Sequence, residues 1–106
     1  MSDNLPFSEQ YRLAAEEWVD KEAAATLLED TKSSVMAQRQ AMLGDIAVNK
    51  AEQIVKASRD WSDHIAKIVE ARKEANLAKV KLEVIRMKFT EQQSYDATRR
   101  AEMKMV

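Results

Sequence analysis

The chain has 106 residues, 33% of them charged, with one glycine, one proline and no cysteine. This length suits a single domain, and the missing cysteines exclude disulfides and thiolate chemistry. No apolar run reaches the roughly 18 to 20 residues of a bilayer span, and no signal-peptide pattern opens the chain. We therefore expect a soluble cytoplasmic protein with no membrane partner.

Charge is unevenly distributed around Gly44, the only glycine. Four basic and nine acidic residues lie in the part of the chain that ends at Asp45, whereas thirteen basic and nine acidic residues follow it. Glycine tolerates positive φ and is favoured just after a helix C-terminus. We therefore predict two long helices of opposite net charge, joined by a turn at residues 44–48.

The first helix is predicted over about residues 8–43. Residues 1–7 contain the only proline and show no helical period, so they are predicted as a lead-in with Ser8 as a candidate N-cap. Apolar residues then form an imperfect coiled-coil stripe. The stripe consists of Tyr11, Ala14, Trp18, Ala25, Leu28, Val35 and Met42.

The second helix is predicted over about residues 49–103, with Asn49 and Glu52 as a capping-box-like pair. Polar residues that favour caps and turns predict a break near 58–62 as an alternative to one continuous helix. The main core row repeats every seven residues and consists of Ile54, Trp61, Ile68, Ala75, Leu82 and Phe89. The companion row consists of Ala57, His64, Ala71, Ala78 and Ile85. The predicted fold is all-α, an antiparallel helical hairpin of two long helices with coiled-coil-like packing.

A second apolar row lies on nearly the opposite side of the second helix, about 200° from Leu82 at 100° per residue. One partner helix cannot cover both sides. The row is either a set of tolerated surface aliphatics or an interface buried by neighbouring subunits, and we favour a homo-oligomer. The candidate oligomer interface consists of Leu77, Val80, Val84 and Met87.

Few residues suit catalysis or metal binding. The chain has one histidine, no glycine-rich loop, no HExxH motif and no carboxylate cluster with ligand spacing. His64 lies on the core-facing row and is interpreted as a packed side chain rather than a ligand. Asp60 and Asp63 are interpreted as capping residues rather than a general acid and base. We expect a protein that is not an enzyme, with no cofactor and no metal site.

Basic residues are concentrated in the later part of the second helix. Arg72, Lys79 and Arg86 are seven apart and Arg100 continues the series, which predicts a ridge with about 10 Å between successive members. Such a ridge can follow a phosphate backbone without reading its sequence. The alternative is a solvated flank neutralised by helical ion pairs. The candidate nucleic-acid-binding residues are Arg72, Lys73, Lys79, Lys81, Arg86, Lys88, Arg99 and Arg100.

Four segments carry a resemblance to a known family. They are Asn49–Glu52, Ser58–Trp61, Ala71–Glu83 and Arg100–Met103. Together they resemble a group of short helical proteins of tailed phages, which are encoded near recombination genes and are similar in layout to UvsY-type recombination mediators. The likeness spans roughly residues 11–103.

This resemblance implies a small all-α, ring-forming oligomer that binds single-stranded DNA, in the host cytoplasm if the chain is phage-encoded. It also implies a recombinase partner, which the oligomer helps to load onto strands covered by a single-strand-binding protein. The residues to which the resemblance assigns DNA binding are Arg72, Lys73, Lys79, Lys81, Arg86 and Lys88.

Two other classes of protein remain as alternatives. The first is a non-catalytic helical structural or adaptor protein with protein partners only. The second is a secreted helical-hairpin effector of the WXG type, which carries Trp-x-Gly in its turn. This chain has Met42 two residues before Gly44, which disfavours the effector class.

Overall fold

The computed structural model of the chain describes residues 4–105. They form four α-helices: α1 over Phe7–Asp30, α2 over Lys32–Met42, α3 over Val48–Lys56 and α4 over Arg59–Lys104. Within the described residues there are helices and turns but no strand. The predicted all-α class is confirmed over this part of the chain.

The residue contacts divide the chain into two compact units. The central unit comprises Asp20–Ala75, and the terminal unit comprises the residues up to Val19 together with those from Asn76 onward. Helices α1 and α4 therefore contribute a part to each unit.

The first helix begins at Phe7, one residue before the predicted start. The carbonyl oxygen of Pro6 accepts hydrogen bonds from the backbone N–H groups of Glu9 and Gln10, both at 3.0 Å. Ser8, the predicted N-cap, therefore lies inside the first turn. Residues 1–3 of the predicted lead-in, and Val106, lie outside the described residues.

Thr31 divides the predicted first helix into α1 and α2. Its hydroxyl donates a hydrogen bond to the Leu28 carbonyl at 2.6 Å, and its backbone N–H is shared between the carbonyls of Leu27 and Leu28 at 3.2 Å each. A threonine hydroxyl that bonds to the preceding turn competes with the regular helical pattern. The single helix predicted over 8–43 is therefore replaced by two.

The turn after α2 uses Gly44 as predicted. Gly44 has φ +81°, and its N–H bonds to the Ala41 carbonyl at 3.2 Å. The next helix, however, begins earlier than expected, because Ala47 is the N-cap of α3 and makes no side-chain cap bond. The capping-box prediction for Asn49 is wrong, since this residue already lies within the first turn of α3.

Ser58 separates α3 from α4. Its hydroxyl oxygen accepts a hydrogen bond from the Trp61 N–H at 3.2 Å, which is the N-cap arrangement, and the hydroxyl donates to the Val55 carbonyl at 2.6 Å. The second predicted helix is thus two helices. The seven-residue register predicted for the second helix does not extend back into α3. Val55 and Ala51 are buried, whereas Ile54, the predicted first core residue, is 41% exposed.

The buried core is built largely from alanine. In the central unit the buried apolar residues are Ala25, Ala51, Val55, Trp61, Ile68 and Ala75. In the terminal unit they are Ala14, Ala78 and Leu82. Phe89 and Met42, both predicted as stripe or core residues, are exposed. Small buried residues allow helix backbones to approach closely, and the large apolar side chains of the terminal unit remain partly in solvent.

Candidate nucleic-acid interface

All eight candidate nucleic-acid-binding residues and all four candidate interface residues lie on α4. This helix is continuous over Arg59–Lys104. Arg72 and Lys73 belong to the central unit, and the other residues belong to the terminal unit.

Arg72 forms hydrogen bonds with two carboxylates of α1. Its Nε lies 2.9 Å from Oε2 of Glu29, and its Nη1 lies 2.7 Å from Oε2 of Glu22. The hydrogen bonds to Glu29, and to a lesser extent the bond to Glu22, raise the pKa of Arg72. The hydrogen bond from Arg72 in turn lowers the pKa of Glu29. Arg72 would have to leave both carboxylates to reach a phosphate, so its geometry is that of an internal ion-pair residue.

The neighbour of Arg72 on α4 has a different environment. Lys73 is exposed, and the next residue, Glu74, faces Lys21 of α1 at 3.6 Å. Within the central unit, Lys73 is therefore the candidate cation that remains directed to solvent.

Two candidate cations of the terminal unit contact α1. Nζ of Lys81 lies 3.1 Å from Oε2 of Glu17, and the two side chains are 61% and 41% exposed. Nζ of Lys79 lies 6.0 Å from the centroid of the Trp18 ring, at the outer limit of a cation–π contact. Trp18 is half-buried, in agreement with its predicted packing role. Lys79 forms no ion pair with Glu83, which lies four residues further along the same helix.

The remaining cations of the terminal unit are exposed. Among the ion pairs of residues 4–105, none involves Arg86, Lys88, Arg99 or Arg100. Arg100 instead donates from Nε to the backbone carbonyl of Asp96 at 3.4 Å. These four residues form the basic surface of the terminal unit.

Helical geometry divides the terminal-unit cations into two groups. At 100° per residue, Lys88 and Lys81 lie about 20° and 40° from Leu77, beside the second apolar row. Arg86 lies about 180° from Leu77 by the same measure. Lys81 and Lys88 thus lie beside the candidate interface, whereas Arg86 lies on the opposite side of α4.

The second apolar row itself is open to solvent. The exposed fractions are 59% for Leu77, 53% for Val80, 41% for Val84 and 61% for Met87. These side chains line one side of the helix, with Lys81 and Lys88 along one edge. The arrangement is that of a surface able to take an apolar partner, with cations at its edge.

An apolar groove of about 600 Å³ lies between the first turns of α1 and the later part of α4. Its lining residues are Pro6, Phe7, Ser8, Tyr11, Ile85, Arg86 and Phe89. The rings of Phe7 and Phe89 are 5.9 Å apart at an interplanar angle of 57°. The sequence signal for this groove is the spacing of four residues between Phe7 and Tyr11 and between Ile85 and Phe89, which places each pair on one helix face.

His64, which was predicted to be a packed side chain, is partly buried. Its ring lies 6.0 Å from the Trp61 ring, and its Nε2 lies 3.5 Å from the Thr31 hydroxyl. Nearby Asp60 pairs with Arg39 at 3.6 Å. No group of histidine, cysteine or acidic residues in the described range has the arrangement of a metal site.

Comparisons of the chain with protein-family models, with curated proteins and with solved structures give no match. Among the described helices, none combines the length and the apolar content that a bilayer span requires. The resemblance to UvsY-type mediators therefore remains a hypothesis based on the segments that carry it.

Proposed function

We propose that this protein is an oligomeric single-stranded-DNA-binding protein that acts as a recombination mediator or accessory factor. The observation that carries the proposal is the basic surface of the terminal unit, whose exposed cations form no ion pair within residues 4–105, with Lys88 beside the exposed apolar row. Unpaired cations can bind phosphates without first breaking an internal ion pair. The apolar row supplies a surface on which copies of the chain can associate.

The proposed subunit is an antiparallel helical hairpin with coiled-coil-like packing. Contacts within each unit support this arrangement. In the terminal unit, Phe7 meets Phe89 and Glu17 meets Lys81, so residue numbers rise along α1 as they fall along α4. In the central unit, Lys21 meets Glu74 and Glu29 meets Arg72, in the same sense.

The proposed mechanism depends on repetition of the basic surface. One copy offers a few exposed cations, each of which contributes weakly at physiological salt. An oligomer presents several such surfaces to one strand, so that each contact after the first is intramolecular and binding is strengthened by effective concentration. We propose that strands held in this way are made available to a recombinase in place of a single-strand-binding protein, in the cytoplasm, which is that of the host if the chain is phage-encoded.

Fluorescence anisotropy with a labelled single-stranded oligonucleotide tests the DNA-binding part. We expect binding at low salt that weakens steeply as salt rises, because phosphate contacts release counterions. The double variant Arg86→Gln with Lys88→Gln should bind more weakly and show a shallower salt dependence. Absence of binding at low salt would contradict the proposal.

A matched variant controls for net charge. Lys32 and Lys50 are exposed residues of the central unit, and their replacement by Gln removes the same two charges from a different surface. We expect this control to retain most of the DNA affinity. If both double variants lose affinity equally, binding reflects total charge and the proposed surface is wrong.

Light scattering on a size-exclusion column tests the oligomer. Val84→Glu places a charge in the second apolar row and should lower the oligomer order, while circular dichroism shows unchanged helicity. Val48→Glu is the control, because Val48 is 72% exposed on α3, outside that row. A monodisperse wild-type monomer at micromolar concentration would contradict the interface assignment.

The alternative is a helical structural or adaptor protein with protein partners only. It is favoured by one observation, namely that Arg72 and Lys81 already bond to carboxylates of α1 and are less available to phosphates. On this alternative, charge reversal at Lys79 and Arg86 leaves function intact. On the leading proposal the same change abolishes DNA binding.

A further inference from the structure

The apolar groove of the terminal unit combines features of a binding site for a partner segment. Four of its lining residues are aromatic or aliphatic side chains held on two helices, which fixes their positions. Tyr11 is 41% exposed and Phe89 is 44% exposed, so a ligand could still bury much of their surface. The volume of about 600 Å³ falls within the roughly 300 to 1,000 Å³ typical of binding pockets.

Charge distinguishes the kind of ligand that fits this groove. Arg86 is the charged residue of the lining, and no acidic residue is found among the lining residues of the described chain. Its guanidinium has no ion-pair partner within residues 4–105. Arginine binds carboxylates with paired, charge-assisted hydrogen bonds. A ligand with apolar groups alone would leave this donor set unused.

We propose that the groove binds a segment of a protein partner in which large apolar side chains stand next to a carboxylate. The apolar side chains pack against Phe7, Tyr11 and Phe89, and the carboxylate pairs with Arg86. Tyrosine and arginine are enriched among residues that dominate binding energy at protein interfaces, and the groove places Tyr11 and Arg86 in one lining. This inference goes beyond DNA binding, because it assigns a site for a second kind of partner.

Three fluorescein-labelled peptides test the chemistry of the ligand. The first has a central Leu-Phe pair flanked by aspartates, the second replaces the aspartates by lysines, and the third replaces Leu-Phe by Ser-Ser. Anisotropy titrations with the full chain, without nucleic acid, should show saturable binding of the first peptide only. Equal binding of the lysine peptide, or no saturable binding of the aspartate peptide up to about 1 mM, would overturn the inference.

Two variants locate the peptide on the protein. Arg86→Gln should weaken binding of the aspartate peptide about ten-fold, as expected for loss of a charge-assisted bond. Its matched control is Arg59→Gln, which removes the same charge from an exposed position at the start of α4, outside the groove. If both variants weaken binding equally, the peptide is attracted by net charge and the groove is not its site.

A second pair of matched variants tests the apolar part of the groove. Tyr11→Ser removes an aromatic ring from the groove, whereas Tyr95→Ser removes one that is 60% exposed on α4 outside the lining. We expect loss of peptide binding for Tyr11→Ser only, with circular dichroism unchanged for both. If Tyr11→Ser instead dissociates a dimer and leaves peptide binding unaffected, the groove is an interface with a second copy and the inference is wrong. Because these titrations contain no DNA, they succeed or fail independently of the proposed function.

Discussion

The central and terminal units differ in how many cations face a carboxylate of another helix: three in the central unit and, within residues 4–105, one in the terminal unit, where Lys81 faces Glu17. In the central unit, Arg72, Lys21 and Arg39 each face a carboxylate of another helix. In the terminal unit, the exposed Arg86, Lys88 and Arg99 form no ion pair with any residue of the described chain. Exposed cations without an ion pair in the described range occur in both units, for example Lys50 in the central unit and Lys88 in the terminal unit, so the units differ in the number of ion pairs between helices.

The two units also differ in how many large apolar side chains they bury. The central unit buries Trp61, Ile68 and Val55, together with alanines that have almost no exposed surface. The terminal unit buries one large aliphatic residue, Leu82, and leaves the second apolar row and much of Phe89 in solvent. We infer that the central unit mainly stabilises the subunit and that the terminal unit carries the binding surfaces.

The largest expected effect tests close packing in the central unit. Ala25 has no exposed surface, so Ala25→Leu must displace neighbouring atoms and should destabilise the protein by about 1 to 3 kcal/mol. Ala24→Leu is the control, because Ala24 is the exposed neighbour on the same helix. Urea unfolding followed by circular dichroism at one fixed protein concentration measures both. Equal stability of the two variants would show that Ala25 is not tightly packed.

The next effect tests whether the Arg72 bonds support the fold. Arg72→Gln should lower the free energy of unfolding at pH 7, because it leaves Glu22 and Glu29 without their partner. Arg72 lowers the pKa of Glu29 below its ordinary value of 4.5, so the folded protein gains stability from the charged carboxylate above that pH. This contribution is lost as the pH falls through the lowered pKa.

The stability difference between wild type and Arg72→Gln should therefore be present at pH 7 and shrink as the pH is lowered below about 4.5. Lys73→Gln is the control, since it removes the adjacent exposed charge without breaking those bonds. Urea titrations of the three proteins from pH 7 to pH 3 provide the measurement. A pH-independent difference would mean that Arg72 acts through packing of its side chain rather than through Glu29.

Much of the local structure could be predicted from the sequence. The seven-residue repeat located the long helical segments, and the single glycine located the turn, where Gly44 has positive φ. The break at Thr31 was missed because a threonine is compatible with a helix interior until its hydroxyl bonds to a preceding carbonyl. The register at Ile54 was missed because it depends on where the helix break falls, and a one-residue change moves a side chain by about 100°.

The sequence predicted which residues of α4 belong to the candidate site, but not which residues of α1 they contact. Sequence identified the cations and the second apolar row of α4, because both are local patterns on one helix. The partners of Arg72 are 43 and 50 residues away in the chain, and a local pattern does not specify which acidic residue of α1 will face it. The groove was missed for the same reason, since Tyr11 and Phe89 line it from distant parts of the sequence.

The smallest expected effect concerns the ion pair of the terminal unit. Lys81 and Glu17 are 3.1 Å apart, with side-chain exposures of 61% and 41%. Exposed pairs contribute about 0 to 1 kcal/mol and are screened by salt. Lys81→Gln should therefore change the free energy of unfolding by about 0.5 kcal/mol or less at low salt, and by less still in about 1 M NaCl.

A double-mutant cycle with Glu17→Gln isolates this pair, and the equivalent cycle of Arg72→Gln with Glu29→Gln isolates its counterpart in the central unit. We expect the coupling free energy to be clearly smaller for Lys81 with Glu17, because that pair has one bond and more solvent, whereas Arg72 bonds to Glu29 through two nitrogens. Equal coupling in the two cycles would contradict the division proposed between the units. A smaller coupling at Lys81 would also mean that this lysine can leave Glu17 for a phosphate at little cost, which would add it to the basic surface of the terminal unit.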